Sequence, residues 1–167
     1  MTLAAIVHNN IAVAHLKARH VSYAAQWCTS ALEEHRRTAD DCMKTKNSFS
    51  SSSETSADNP IDQCMLSIDP ADEQVLTEPA NAFIYRSGIT IPIAETDPAI
   101  ITPIIIFNTA LTHHLLAEHD DVNSLKYLQK AKEMYELAFK ALDTDTNLLF
   151  EFVILNNIAM IYRMTGI

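Results

Sequence analysis

Apolar residues recur at helical spacing in separate stretches of the chain, and a long polar stretch divides them. Over residues 3–18, Leu3, Ile6, Val7, Ile11, Ala14 and Leu16 follow the helical period until Arg19 and His20 interrupt it. A second helix is predicted over 21–37, with Tyr23, Ala24, Trp27, Cys28, Ala31 and Leu32 on one face. The very short link makes the pair an αα-hairpin. Helix is expected again after Asp97-Pro98 or Thr102-Pro103, where a capping residue precedes a first-turn proline, and it runs to Glu118. A polar link, 119–123, leads to a helix over 124–142, with Leu125, Leu128, Ala131, Met134, Tyr135, Ala138 and Leu142 on one face. A turn at 143–146 then precedes a last helix over 147–164.

The intervening stretch has another character. Residues 48–53 are nearly all serine, and Glu54, Thr55, Ser56 and Asp58 follow. Such a sequence buries too little apolar surface to offset a chain entropy of about 1–2 kcal/mol per residue. Residues 41–75 are therefore expected to be mostly disordered, within an acidic insert spanning 41–97. Inside that insert, residues 83–93 are β-branched and aromatic on either side of Ser87-Gly88, and Ile89, Ile91 and Ile93 alternate with Thr90 and Pro92. This pattern predicts a short extended segment or small hairpin laid against the helices.

Charge and composition exclude several functions. The net charge is −9, and residues 38–97 hold 11 acidic residues against 3 basic ones. A phosphate backbone needs a basic surface, so nucleic acid is not an expected partner. With Gly88 and Gly166 the only glycines, no Gly-rich phosphate loop exists. Cys28, Cys42 and Cys64 form no CxxC, so no zinc site or disulfide framework is expected, and a reducing, intracellular compartment, cytoplasmic first, fits best. The apolar N-terminus carries His8, Asn9 and Asn10 in mid-run and reads as a helix, not a signal peptide. No membrane span is expected: no unbroken apolar run reaches the roughly 18 residues required, and the longest candidate, around 99–116, is interrupted by Pro103, Asn108 and His113-His114.

Three stretches of sequence are alike. Asn10-Ile11-Ala12-Val13-Ala14-His15 returns as Asn108-Thr109-Ala110-Leu111-Thr112-His113 and as Asn157-Ile158-Ala159-Met160-Ile161-Tyr162. In the helices that follow the first two, Ala24, Cys28 and Ala31 match Ala131, Tyr135 and Ala138. The pattern resembles the tetratricopeptide repeat, a helix–turn–helix unit of about 34 residues in which small residues let paired helices approach closely. The first copy fits without gaps, the second has a longer turn, and the third ends after its first helix. The chain is thus expected to be all-α: an antiparallel helix-hairpin array of about two and a half repeats, with a first hairpin at 1–40, the insert at 41–97, and the second repeat plus the third's first helix at 98–167.

The resemblance implies a concave groove lined by the first helix of each unit, through Asn9 and Val13; Phe107, Leu111 and His114; and Asn156, Met160 and Arg163. That lining is mainly apolar and suits a hydrophobic or amphipathic helical segment of another protein. Family members that hold a terminal carboxylate carry lysine and asparagine where this chain has Asn9 and Val13, so that ligand is not implied. The expected role is a protein-interaction scaffold or adaptor, not an enzyme, with no cofactor and no metal. The resemblance also implies that Asn10, Asn108 and Asn157 hydrogen-bond backbone between neighbouring repeats, and that His15 and His113 fill packing positions between helices. A duller role for the groove is to be covered by residues 83–93 or by a second copy, the latter through the C-terminal helix. Two other readings stand beside this one. One is a metal-binding protein or enzyme using His113, His114 and His119, of which His114 and Glu118 share a helical face. The other is a piece of a longer repeat protein with no independent function.

Overall fold

The structure, a computed structural model, describes residues 3–45, 85–93, 98–142 and 147–166. Five helices account for most of them: α1, Leu3–Lys17; α2, Val21–Thr45; α3, Pro98–Ala117; α4, Ser124–Ala141; and α5, Leu148–Thr165. No strand occurs among the described residues, and their regular structure is all helical, as the periodicity predicts. The 143–146 turn, the body of the insert at 46–82, and Phe83 and Ile84 lie outside the described residues.

Neighbours in sequence pack as neighbours in space: α1 on α2, α3 on α4, and α4 on α5, while α3 also meets both α1 and α2. Helix α3 is the centre of the molecule. Ile101, Ile104, Ile105, Phe107, Ala110 and Leu111 are all buried. A helix apolar on every side has to be surrounded, and each fully buried isoleucine or leucine contributes about 1.5–3 kcal/mol. The alanines do the work their size implies. Ala12, Ala24, Ala31, Ala110, Ala131 and Ala138 are all sealed from solvent, where a larger side chain would hold the helices apart. Ala159 on α5, in contrast, is exposed.

Several expectations are corrected. Helix α2 runs eight residues past 37, so residues 41–45 are helical and not part of a disordered stretch. Neither glycine nor proline occurs between Arg37 and Pro60, and ion pairs Glu33–Arg36, Glu33–Arg37 and Glu34–Arg37 lie along its exposed side. Pro103 sits inside α3 and does not end it, nor do Asn108 and His113-His114. Two helices, Ala99–Ala117 and Leu148–Thr165, therefore reach the length and apolarity of a membrane span, contrary to expectation. The first of these spends its apolarity in the core, with 78% of it buried; the second is only 22% buried. In α1 the buried face is Ala5, Ile6, Asn9, Ala12, Val13 and Leu16, leaving Leu3, Val7 and Ala14 exposed. With apolar residues around most of that helix, the fit of small residues against α2 decides the face.

The α1–α2 turn shows how tightly the hairpin closes. Arg19 has φ 59°, His20 N–H bonds the His15 carbonyl at 2.8 Å, and Arg19 N–H bonds that of Leu16 at 2.9 Å. This is the Schellman arrangement, with arginine where glycine is the usual occupant. His15 stacks on Tyr23 across the hairpin, and His113 stacks on Tyr127 in the second one. Both histidines therefore take interhelical packing positions.

Candidate functional site

The face to which α1, α3 and α5 each contribute is occupied by the chain itself. Residues 85–93 cross it in extended form, and four asparagines from three helices hold that segment by its main chain. At one end Asn157 of α5 accepts the Tyr85 N–H at 2.8 Å and donates to the Tyr85 carbonyl at 3.1 Å. In the middle Asn108 of α3 accepts the Ile89 N–H at 2.8 Å and donates to the Ile89 carbonyl at 2.7 Å. At the other end Asn10 of α1 accepts the Ile91 N–H and donates to the Ile91 carbonyl, both at 2.8 Å. Asn9 adds a second donor to the Ile89 carbonyl at 3.1 Å.

The chemistry of this pattern follows from the extended backbone. There the N–H and C=O of one residue point to the same side, and those of the next residue point to the other. A primary amide carries one acceptor and a donor side by side, so it meets both groups of a single residue as a neighbouring strand would. The three clamped residues are all odd-numbered and so present the same edge. Six residues at about 3.3 Å each span about 20 Å. Two helix-to-helix steps of about 8–10 Å cover the same distance. The match holds for the whole span and not step by step, since four residues (about 13 Å) separate the first two clamps and two residues (about 7 Å) the last two. The segment runs from α5 towards α1, against the chain order of the helices.

The clamps are themselves braced. Asn108 also donates to Asn9 Oδ1 at 2.8 Å, tying α3 to α1, and Asn9 donates to Asn10 Oδ1 at 3.2 Å. Asn157 donates to the Tyr135 hydroxyl at 3.0 Å. Tyr135 is wholly enclosed, which pushes its ionisation well above the usual range, so it stays a neutral hydroxyl. Asn9, Asn108 and Asn157 are buried, where an unmatched amide is costly and a matched one is specific.

Side chains of the segment fill what lies between the amides. Ile89 and Ile91 are buried, and the Tyr85 ring lies 6.2 Å from that of Phe107, which meets Tyr135 at 5.6 Å and Phe150 at 5.2 Å. Gly88 passes so close to α1 that a Cβ there would lie 3.0 Å from Leu16 Cδ1 and 3.1 Å from Val13 Cγ2. Arg86 forms a two-pronged ion pair with Glu118, at 2.8 Å and 2.6 Å.

Of the residues expected to line an open groove, Asn9, Val13, Phe107, Leu111 and His114 are buried. Asn9, Val13 and Phe107 touch or bond the segment or its neighbours. Asn156 and Met160 are half-buried and Arg163 is exposed. The asparagine expectation is corrected: Asn10, Asn108 and Asn157 bond the 85–91 segment, and the link between helices is made by Asn9 with Asn108. Asn9's double role and the Tyr135 brace carry no sequence signal beyond residue type. The recurrence of asparagine at one place in three copies is the visible clue.

The histidine cluster does not converge. His113 stacks on Tyr127, while His114 is buried edge-on to Tyr135 with neither ring nitrogen hydrogen-bonded. Burial drives its pKa down to about 4, with Glu118 raising it and Arg86 lowering it. Among the described residues no three His, Cys, Asp or Glu side chains are grouped to hold a metal. Cys28 lies buried near Thr112 and Thr109 of α3, and burial pushes its thiol up to about 12, which leaves it an unreactive packing residue. Comparison with known proteins finds no match: no family model, no curated protein and no solved structure.

Proposed function

We propose that the chain is an interaction scaffold or adaptor: a tetratricopeptide-like array of about two and a half helical hairpins whose groove holds an extended segment of another protein. The reading is drawn from the amide clamp, three asparagines on successive first helices each engaging both backbone groups of one residue. Its occupant is the chain's own segment, which counts against a permanently open groove, and the same amides are proposed to take another extended chain when that segment leaves. A helical ligand, with its backbone groups already paired, offers nothing to those amides, so the geometry favours an extended one over the helical one that composition suited. The enzyme and metal readings receive no comparable support from His113, His114 and His119. Neither nucleic acid nor membrane is part of the proposal, which places the protein inside the cell, in the cytoplasm first and the nucleus second.

Residues 85–93 occupy the groove in cis, and a tethered ligand competes at an effective concentration in the millimolar range. The test therefore uses the chain with Ile89→Asp and Ile91→Asp, which weakens its own segment, and a fluorescent peptide of residues 83–93. Binding in trans is expected, lost on N-methylation at the Ile89 position and kept on N-methylation at Thr90, whose N–H is not clamped. A folded variant that binds no peptide contradicts the proposal.

A second copy as partner has its own support. Leu148, Leu149, Phe152 and Leu155 leave α5 with an exposed apolar face. Light scattering of the wild-type chain and of Phe152→Glu tests it: a dimer that the substitution dissolves is expected, and a wild-type monomer excludes it.

A further inference from the structure

The amides explain how a main chain is held but not which sequence is preferred. We infer that the groove selects an extended segment of the pattern Arg-x-Gly-apolar-x-apolar, with β-branched residues at the two apolar places, of which residues 86–91 are the built-in instance. The inference rests on the groove reading above and adds the ligand class to it.

Each place in the pattern answers a feature of the groove. The glycine lies against Val13 and Leu16, and a Cβ at 3.0–3.1 Å from their methyl groups meets two side chains that are themselves buried in the core, with little room to give. The two apolar places are those of Ile89 and Ile91, both enclosed, and both supply an N–H that proline lacks. β-branched side chains favour the extended backbone that the amides require. Between them Thr90 is exposed, so that place is free. The arginine, two residues before the glycine, faces Glu118 with a planar fork that matches the carboxylate. A net-negative chain also favours a basic ligand over an acidic one.

The experiment measures affinity of the Ile89→Asp, Ile91→Asp chain for a series of peptides by fluorescence anisotropy. The parent is the 83–93 sequence. Alanine for its glycine is expected to weaken binding about 10-fold or more. Alanine for either isoleucine is expected to do the same. Glutamine for the arginine is expected to cost about 2- to 5-fold, and to lose its effect on a chain carrying Glu118→Gln. Valine for isoleucine costs about 2- to 10-fold, less than alanine, and any polar residue for the exposed threonine leaves binding within about twofold. Equal affinity across the glycine, isoleucine and scrambled peptides overturns the pattern while leaving the groove reading standing. No binding by any peptide overturns both. Circular dichroism tests whether the double variant keeps its helices. If it does not, the same peptides are titrated against the chain carrying Thr90→Cys, with Cys42 and Cys64 replaced by serine so that the dye goes to position 90 and not to the buried Cys28. Displacement of the labelled segment, read as a change in dye emission, by the parent peptide alone then supports the pattern, and displacement by none or by all counts against it.

Discussion

Replacing Asn108 by alanine perturbs the clamp at its most enclosed point. Three hydrogen bonds go: the Ile89 N–H to Oδ1, and Nδ2 to the Ile89 carbonyl and to Asn9 Oδ1. The carbonyl keeps Asn9 Nδ2 at 3.1 Å, but the Ile89 N–H and Asn9 Oδ1 lose their partners in a region closed to water. Each orphaned buried group costs about 1–3 kcal/mol, so the substitution is expected to cost about 2–6 kcal/mol. Against a domain stability of about 5–15 kcal/mol that is a large fraction. Asn10→Ala strips the same two kinds of backbone group but at a half-buried site, where water replaces part of the loss, and about half the effect is expected. Urea denaturation followed by circular dichroism gives both values from the shift in midpoint. A loss below about 1 kcal/mol for Asn108→Ala, or equal losses at the two positions, would refute the burial argument.

Three further outcomes are expected. His114 binds a proton more weakly in the folded chain, about 4 against an ordinary 6.5, so its contribution is complete above pH 6.5 and is lost as the pH falls towards 4, by about 3 kcal/mol. His114→Leu should therefore flatten the pH dependence of the urea midpoint between pH 7 and 4.5 without destabilising the protein at pH 7; an unchanged slope contradicts this. Arg19→Gly relieves a positive-φ residue at the end of α1 and should raise stability by about 0.5–1 kcal/mol, read as a higher midpoint, and a lower midpoint contradicts the Schellman assignment. Glu118→Gln breaks a partly exposed ion pair and should cost no more than about 1 kcal/mol at low salt and less at high salt, and a larger or salt-independent loss would mean the pair does more than anchor Arg86.

The helices were largely legible in the sequence because an amphipathic face is a local property. The alanine, cysteine and tyrosine spacing shared by α2 and α4 marked the residues that seal each hairpin: Ala24, Cys28 and Ala31, and Ala131, Tyr135 and Ala138 are all buried. The face of α1 was misread where apolar residues surround the helix and periodicity loses contrast. The extent of α2 was misread because serine and acidic content outweighed the absence of any helix breaker before Pro60. For the site, the recurrence of Asn10, Asn108 and Asn157 and the alternation at 89–93 were both visible, but not that one holds the other. A side-chain amide bonding a backbone 72 or 81 residues away leaves no trace in the backbone's own sequence, since every residue but proline offers the same two groups. Gly88 shows the same limit: its need is set by Val13 and Leu16, on a different helix.

Amide hydrogen exchange across residues 85–91 tests the main-chain clamp most directly. The N–H groups of Tyr85, Ile89 and Ile91 are bonded to asparagine oxygens, and those of Arg86, Gly88 and Thr90 are not. The account predicts slow exchange at the first three and fast exchange at the second three, with Ile89 the slowest because its clamp is the most buried. Uniformly fast exchange across the segment, or protection that ignores this alternation, would contradict it.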